Sequence, residues 1–228
     1  MRRSILIVCS LFLFVSCGRE RFKTYSYENF ADQHQTLAIL PVATFTSGRI
    51  PREVSDEQIA QVEEMESLAF QIELYHQLTR RSGRNYNNIN IDFQHINETN
   101  HLLEEAGIDL RTSWKTPPKE LAEILGVDAV VITNVEKEQY LTELESFGLS
   151  VVNTIAWVFS DGWWPLYGQN RTSDVLVYCS ILDGRTGTPV WSTNRTCPTS
   201  WNRPHNEVVR SITRTLSRRF PYRMGDRY

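Results

Sequence analysis

Apolar residues recur along this chain with helical and strand periods, and the changes of period divide it into elements. Residues 36–44, with Leu37, Ala38, Ile39, Leu40 and Val42, form the short apolar run of a buried strand, in which Pro41 fits only at an end or an edge. Ser55 and Gln58 make a capping box that opens a helix over residues 56–80, with Ile59, Val62, Met65, Ala69 and Ile72 at helical spacing and Arg80, Arg81 and Gly83 closing it. Residues 89–96 alternate as a half-buried strand, and Asn97 caps a short helix that ends before Gly107. Thr116 and Pro117 open a further helix with Leu121, Ala122, Ile124 and Leu125 on its apolar side and Gly126 as its stop.

The remaining pattern is two-faced. Ala129, Val130, Val131 and Ile132, within a strand over residues 128–135, are apolar on both faces and suit a central position. Residues 174–182 read the same way, and the Asp183, Gly184 and Gly187 turn predicts a hairpin with a strand at residues 189–196 carrying Val190 and Trp191. The last helix spans residues 205–219: Val208, Val209, Ile212 and Leu216 face inward, while Arg210, Arg214 and Arg218 repeat every four residues on another face. The expected fold is a single α/β domain over residues 36–220, a mixed β-sheet covered by helices with the carboxy-terminal helix packed on the sheet, followed by a tail at 221–228.

The first residues follow a different logic. Arg2 and Arg3 precede an apolar run over residues 5–15, and Gly18, Arg19, Glu20 and Arg21 end it well short of the roughly 20 residues that cross a bilayer. The pattern is that of a cleaved signal peptide, residues 1–16. Phe14-Val15-Ser16-Cys17 resembles the lipobox of bacterial lipoproteins, with Phe14 where that family usually has Leu. The resemblance implies acylation of Cys17, a palmitate-bearing membrane anchor, and a tether over residues 17–35. Gly18 after the cysteine, where Asp marks inner-membrane retention in many lipoproteins, resembles the outer-membrane address, facing the periplasm.

Loss of sixteen of the 228 residues leaves 212, enough for one sizeable domain. A formal charge of -3 argues against a dedicated nucleic-acid binder. The charge is uneven: residues 52–73 hold seven acids and one base, and residues 201–228 hold seven arginines against Glu207 and Asp226. That basic cluster fits anionic headgroups or an acidic partner, and equally a solvated helix face. Of four cysteines, Cys9 departs with the signal and Cys17 takes the lipid. In the predicted hairpin Cys179 lies opposite Ser192 and Cys197 about 16 Å further along, beyond the roughly 7 Å that a disulfide allows.

Residues 147–167 stand out between two predicted strands. As a helix, Val151, Ile155, Val158 and Phe159 would share a face, with Trp163 and Trp164 just past its end. Two readings stay open: a docking surface for another subunit or the membrane, and an internal helix packed on the sheet. Enzymatic chemistry is not evident in the sequence. There is no GxSxG turn, no GxxxxGK loop, no HExxH and no zinc-type cysteine pair, and no cofactor is implied. His101 and Glu104 read as an exposed helix pair, and Asp128 and Asp183, beside Gly126 and Gly184, read as turn formers.

Three stretches together resemble bacterial envelope lipoproteins related to the curli secretion channel lipoprotein and to the amino-terminal domain of TolB. They are Leu37-Ala38-Ile39-Leu40-Pro41-Val42, the run from Pro118 through Leu121, Gly126 and Asp128 to Val131, and the run from Leu182 through Asp183, Gly184 and Pro189 to Ser192. The resemblance implies a membrane-tethered periplasmic domain that assembles with itself or with other envelope proteins, with no catalytic residues to carry over. The leading expectation is a non-enzymatic component of an envelope assembly or transport complex. The alternative is an envelope hydrolase or ligand-binding lipoprotein whose site is not visible in sequence.

Overall fold

A computed structural model describes residues 21–25, 27–49, 55–83, 85, 88–140, 172–198 and 205–223. In chain order the elements are β1 (Arg21–Lys23), α1 (Tyr27–Ala31), β2 (Thr36–Ile39), β3 (Ala43–Arg49), α2 (Asp56–Thr79), β4 (Asp92–Phe93), α3 (Ile96–Glu105), a 3-10 turn at Ser113–Lys115, α4 (Pro118–Leu125), β5 (Ala129–Tyr140), β6 (Thr172–Asp183), β7 (Pro189–Pro198) and α5 (His205–Arg219). The strands form one mixed sheet in the order β1-β7-β6-β5-β2-β4, with β3 also on β5. The expected α/β architecture is therefore the observed one.

β2 and β3 share one edge of β5, both parallel to it, and Pro41 lies between them. Ile39 is opposite Val131 and Ala43 is opposite Asn134, so four steps on one strand match three on the other. One extra residue is accommodated there, as in a β-bulge, where proline's missing N–H costs no ladder bond. The predicted strand over residues 36–44 is thus two strands, and β5 runs past its expected end at Val135 to Tyr140 because β3 and β6 pair with it over that length.

Alternation across β2 and β5 feeds two cores. On one face Leu37, Ile39, Val131, Val177, Ile181 and Trp191 meet Phe70, Leu74 and Leu78 of α2 and Val209, Ile212 and Leu216 of α5. The carboxy-terminal helix thereby packs beside α2. On the other face the smaller core joins Ala38, Leu40 and Val130 to Leu103 of α3 and Leu121, Ala122 and Leu125 of α4.

The capping box of α2 is present: the Gln58 N–H donates to Ser55 Oγ at 3.3 Å and the Ser55 N–H to Gln58 Oε1 at 3.0 Å. Its buried side differs from the expected stripe. Val62 and Ala69 are buried, but Ile59, Met65 and Ile72 are only partly so, and Phe70, Leu74 and Leu78 carry the contact with the sheet. The helix is packed on more than one side, so buried polar groups share it. Gln71 donates to Ile39 O at 2.8 Å, and Arg111 reaches Glu63 at 2.9 Å.

Four expectations need correction. The stretch over residues 89–96 forms only the two-residue β4, because Ile89 spends its backbone on bridges to Ser82 and Arg223 although its side chain is buried. The cap of α3 is His95, whose Nδ1 accepts the Asn97 N–H at 3.2 Å; Asn97 is already inside the helix. The hairpin is one residue out of the predicted register, with Cys179 opposite Thr193 and Cys197 opposite Val175, and a shift between Ile181 and Leu182. Lastly, the fold begins inside the expected tether and continues into the expected tail: β1 pairs with β7, and Tyr27, His34 and Tyr222 are buried.

Candidate functional site

Of the residues singled out from sequence, Cys17, Val151, Ile155, Phe159, Trp163 and Trp164 lie outside the described residues. Arg210, Arg214 and Arg218 lie on the exposed side of α5, opposite the stripe of Val209, Ile212 and Leu216. The structure separates the three. Arg210 Nε is 3.6 Å from Glu73 on α2, which partly neutralises it. Arg214 and Arg218 instead act electrostatically on Arg81, together with Arg80 and Arg223. Burial, followed by these four like charges, lowers the pKa of the Arg81 guanidinium from its ordinary value. Sequence reading found the α5 part of this cluster; the part supplied by the end of α2 and by Arg223 depends on tertiary packing.

A second group of ionisable side chains is fully internal. His34 lies between Asp183, with Nε2 2.9 Å from Oδ1, and Tyr222, with Nδ1 2.7 Å from the phenol oxygen. The other Asp183 oxygen accepts the N–H and the hydroxyl of Thr186, each at 2.7 Å, and the Tyr222 N–H donates to the Tyr27 phenol at 2.8 Å. Burial pushes the Asp183 carboxyl up, but the hydrogen bonds from His34 and Thr186 outweigh it and hold its pKa below the ordinary carboxylate value. Burial, with the neighbouring Tyr27, Asp183 and Asp128, keeps the Tyr222 phenol well above its own. Each of these side chains is spent on a neighbour and closed to solvent, so the trio joins the amino-terminal segment, the hairpin turn and the chain end. It offers no reacting atom to a substrate.

Asp128 is also structural. Its Oδ2 accepts the N–H groups of Gln35 and Thr36 at 2.8 and 2.9 Å, and its carbonyl accepts the Gly184 N–H at 2.7 Å. The reading as a turn former fits Asp183, whose carboxylate accepts from Thr186 three residues on, whereas the Asp128 carboxylate ties its strand to the distant start of β2. His101 pairs with Glu105 at 3.3 Å, not with Glu104, and both are exposed. Cys179 and Cys197 form no disulfide and lie four positions apart along the paired strands. Burial raises the Cys179 thiol to about 11 despite the Thr133 hydroxyl, and burial also raises Cys197 against the pull of Arg195. Among the described residues no three His, Cys, Asp or Glu side chains are grouped to hold a metal ion, and no helix is long and apolar enough to cross a membrane.

One surface had no counterpart in the sequence reading. Among the described residues, the sheet face under α3 and α4 is covered toward the start of β5. Pairing puts Phe22, Ser192, Ser180 and Ile132 in one row, Asn194, Tyr178 and Asn134 in the next, and Leu176, Glu136 and Phe45 in a third. Phe22, Tyr178 and Phe45 are 50%, 42% and 41% exposed on this one face. Phe45 also meets Trp114 edge-on, with ring centroids 5.7 Å apart. The three aromatics come from strands far apart in sequence, so no local period announces them.

No family model matches the chain, and no curated protein matches it. Solved structures similar to it include a lipoprotein from Neisseria meningitidis, GNA1162, at 12% identity and a TM-score of 0.44, covering 81% of this chain and 94% of that one. The PelC dodecamer from Paraburkholderia phytofirmans is similar at 13% identity and 0.42, covering 88% and 95%. The LpoB carboxy-terminal domain from Salmonella enterica is similar at 11% and 0.36, covering 76% and 96%. At these identities and scores the likenesses assign neither activity nor partner.

Proposed function

We propose that the chain is a periplasmic lipoprotein, anchored to the outer membrane through acylated Cys17, that serves as a non-enzymatic component of an envelope assembly or transport complex. The observation that carries the assembly part is the sheet face on which, among the described residues, Phe22, Phe45 and Tyr178 are all exposed. Exposed aromatics gathered on a flat, rigid surface are what a protein interface uses as anchors. The anchoring part rests on the signal-like first sixteen residues and the lipobox-like Phe14-Val15-Ser16-Cys17. β1 starts at Arg21, so a fatty chain on Cys17 would hold the domain within about 14 Å of extended chain from its membrane. Kinship with the curli secretion channel lipoprotein and the TolB amino-terminal domain belongs to the same proposal, supported by the three sequence stretches quoted above.

Two measurements test it. Metabolic labelling with a palmitate analogue marks the wild-type chain and leaves Cys17→Ser unmarked; an unmarked wild type overturns the anchor. Sedimentation of the detergent-extracted protein, alone and with its crosslinked partners, detects assembly, which Tyr178→Ser with Phe45→Ser reduces at unchanged thermal stability. The tryptophan-bearing segment is a second proposed contact, and Trp163→Ser with Trp164→Ser is its separate test. Assembly that survives all four substitutions removes the interface reading.

A further inference from the structure

The ends of two helices and the last described residues bring five arginines together. Arg80 caps the end of α2 and Arg81 follows it, Arg214 and Arg218 lie on the final turns of α5, and Arg223 comes after that helix. Arg81 is held in place by Ser217, with Nε donating to the hydroxyl at 3.0 Å. Arg223 is held by the carbonyls of Ser217 and Arg218, at 3.1 and 2.9 Å. Arg80, Arg214 and Arg218 are exposed, and among the described residues none of the five is paired with a carboxylate. Negative ends of the two helix dipoles offset part of the repulsion. Burial first, and then the four neighbouring guanidiniums, lower the pKa of Arg81.

We propose that this patch binds the phosphate groups of anionic phospholipid headgroups, as a membrane contact separate from any lipid on Cys17. Two observations favour a lipid surface over an acidic protein. Every exposed large hydrophobic among the described residues lies elsewhere, at Phe22, Tyr25, Phe45 and Tyr178, so the patch lacks the apolar anchor around which protein interfaces form. In addition, two guanidiniums are fixed and three are long, exposed and adjustable, an arrangement that suits headgroups that move laterally. Guanidinium forks bond phosphate oxygens in pairs, and each basic side chain near an anionic membrane adds about fivefold to partitioning.

The contact presumes the proposed membrane setting, so the test uses the full chain carrying Cys17→Ser, which removes the acyl anchor and leaves the patch. Flotation with vesicles of phosphatidylglycerol and phosphatidylethanolamine is compared with vesicles of phosphatidylcholine alone, with and without inorganic phosphate as competitor. Binding to the first vesicles only, falling steeply with salt and dropping on the order of a hundredfold in Arg80→Gln, Arg214→Gln, Arg218→Gln, is the expected result. Equal binding to both vesicles, or a triple variant that floats like its parent, overturns the proposal. So does complete displacement by millimolar phosphate, which would make the ligand a free anion. Competition by an acidic polypeptide without vesicle binding assigns the patch to a protein and also overturns it. Because the three side chains are exposed, the variant keeps its melting temperature; single substitutions replace it if it does not. A labelled Cys17 with no vesicle binding leaves the anchor standing and removes only this contact.

Discussion

Asp183 shows how much one buried carboxylate can organise. It receives His34 through one oxygen and Thr186 through the other, and these bonds outweigh burial to keep its pKa below the ordinary value. A depressed folded-state pKa means that the ionised form is bound more strongly in the native state. The resulting stability is fully present above the ordinary carboxylate range, near pH 4, and is lost as pH falls through the lower folded value. Asp183→Asn is therefore expected to lower stability at pH 7 by about 1–3 kcal/mol and to flatten the loss below pH 4, as read by urea denaturation across that range. An identical pH profile would remove the argument. Gly184, next in the chain, is required for space. A Cβ there would lie 2.4 Å from that of Ala122 and 2.7 Å from the Asp128 carbonyl, so the hairpin turn sits against α4 with no room for a methyl group. Gly184→Ala should cost about 1–3 kcal/mol. Gly187→Ala, where the added carbon meets nothing within 4 Å but φ is +73°, should cost only about 1 kcal/mol of left-handed strain.

α2 is an element on which the larger core and the arginine cluster both depend, and its start and its middle can be tested separately. Ser55→Ala removes one half of the capping box and should cost about 1 kcal/mol, while Leu78→Ala, fully buried against the sheet, should cost about 2–5 kcal/mol. Chemical denaturation that found the two equal would mean that the packing described here is wrong. The capping box was legible because it is local: Ser55 and Gln58 are three residues apart and bond to each other. The two-faced apolar strands β5 and β6, and Gly126 as the left-handed stop of α4, were legible for the same reason. What remained hidden was set by distant partners. Ile89 and Ile91 alternate as in a strand and are buried as in one, yet the Ile89 N–H donates to Arg81 O, its carbonyl accepts from Gly83, and the Asn90 N–H donates to Tyr222 O, isolated bonds rather than a full ladder. Ile59, Val62, Met65, Ala69 and Ile72 gave the helix correctly but not its buried side, because a helix packed against a sheet and a second helix has no single wet face. Arg210, Arg214 and Arg218 were visible as a stripe, but Arg80, Arg81 and Arg223, from which the stripe gains or loses its charge environment, come together only in three dimensions.

The molecule is closed by its two ends, and this places the boundary of the folded unit beyond where hydropathy put it. Residues 18–35 are polar and aromatic without a period, and the last residues after Phe220 look like a tail, yet Tyr27, His34 and Tyr222 are each under a tenth exposed and bonded to one another or to Asp183. Tyr222 also stacks at a tilt on Phe220, which in turn meets Trp191 and Phe93, so the carboxy-terminal segment finishes the larger core. The backbone there has φ of 70°, a conformation a tyrosine adopts only when its surroundings reward it. A chain ending at Phe220 should lose what a buried aromatic contributes, about 3–5 kcal/mol, and strand His34 Nδ1 without its phenol. For a domain of this size that corresponds to a fall of roughly 10 °C in melting temperature. Because the same bonds fix α1, amide exchange at Tyr27 to His34 should quicken in the truncated chain while β5 and β6 stay protected. Melting and exchange that matched the full-length protein would return residues 221–228 to the status of a tail and move the edge of the domain back to Phe220, just past α5.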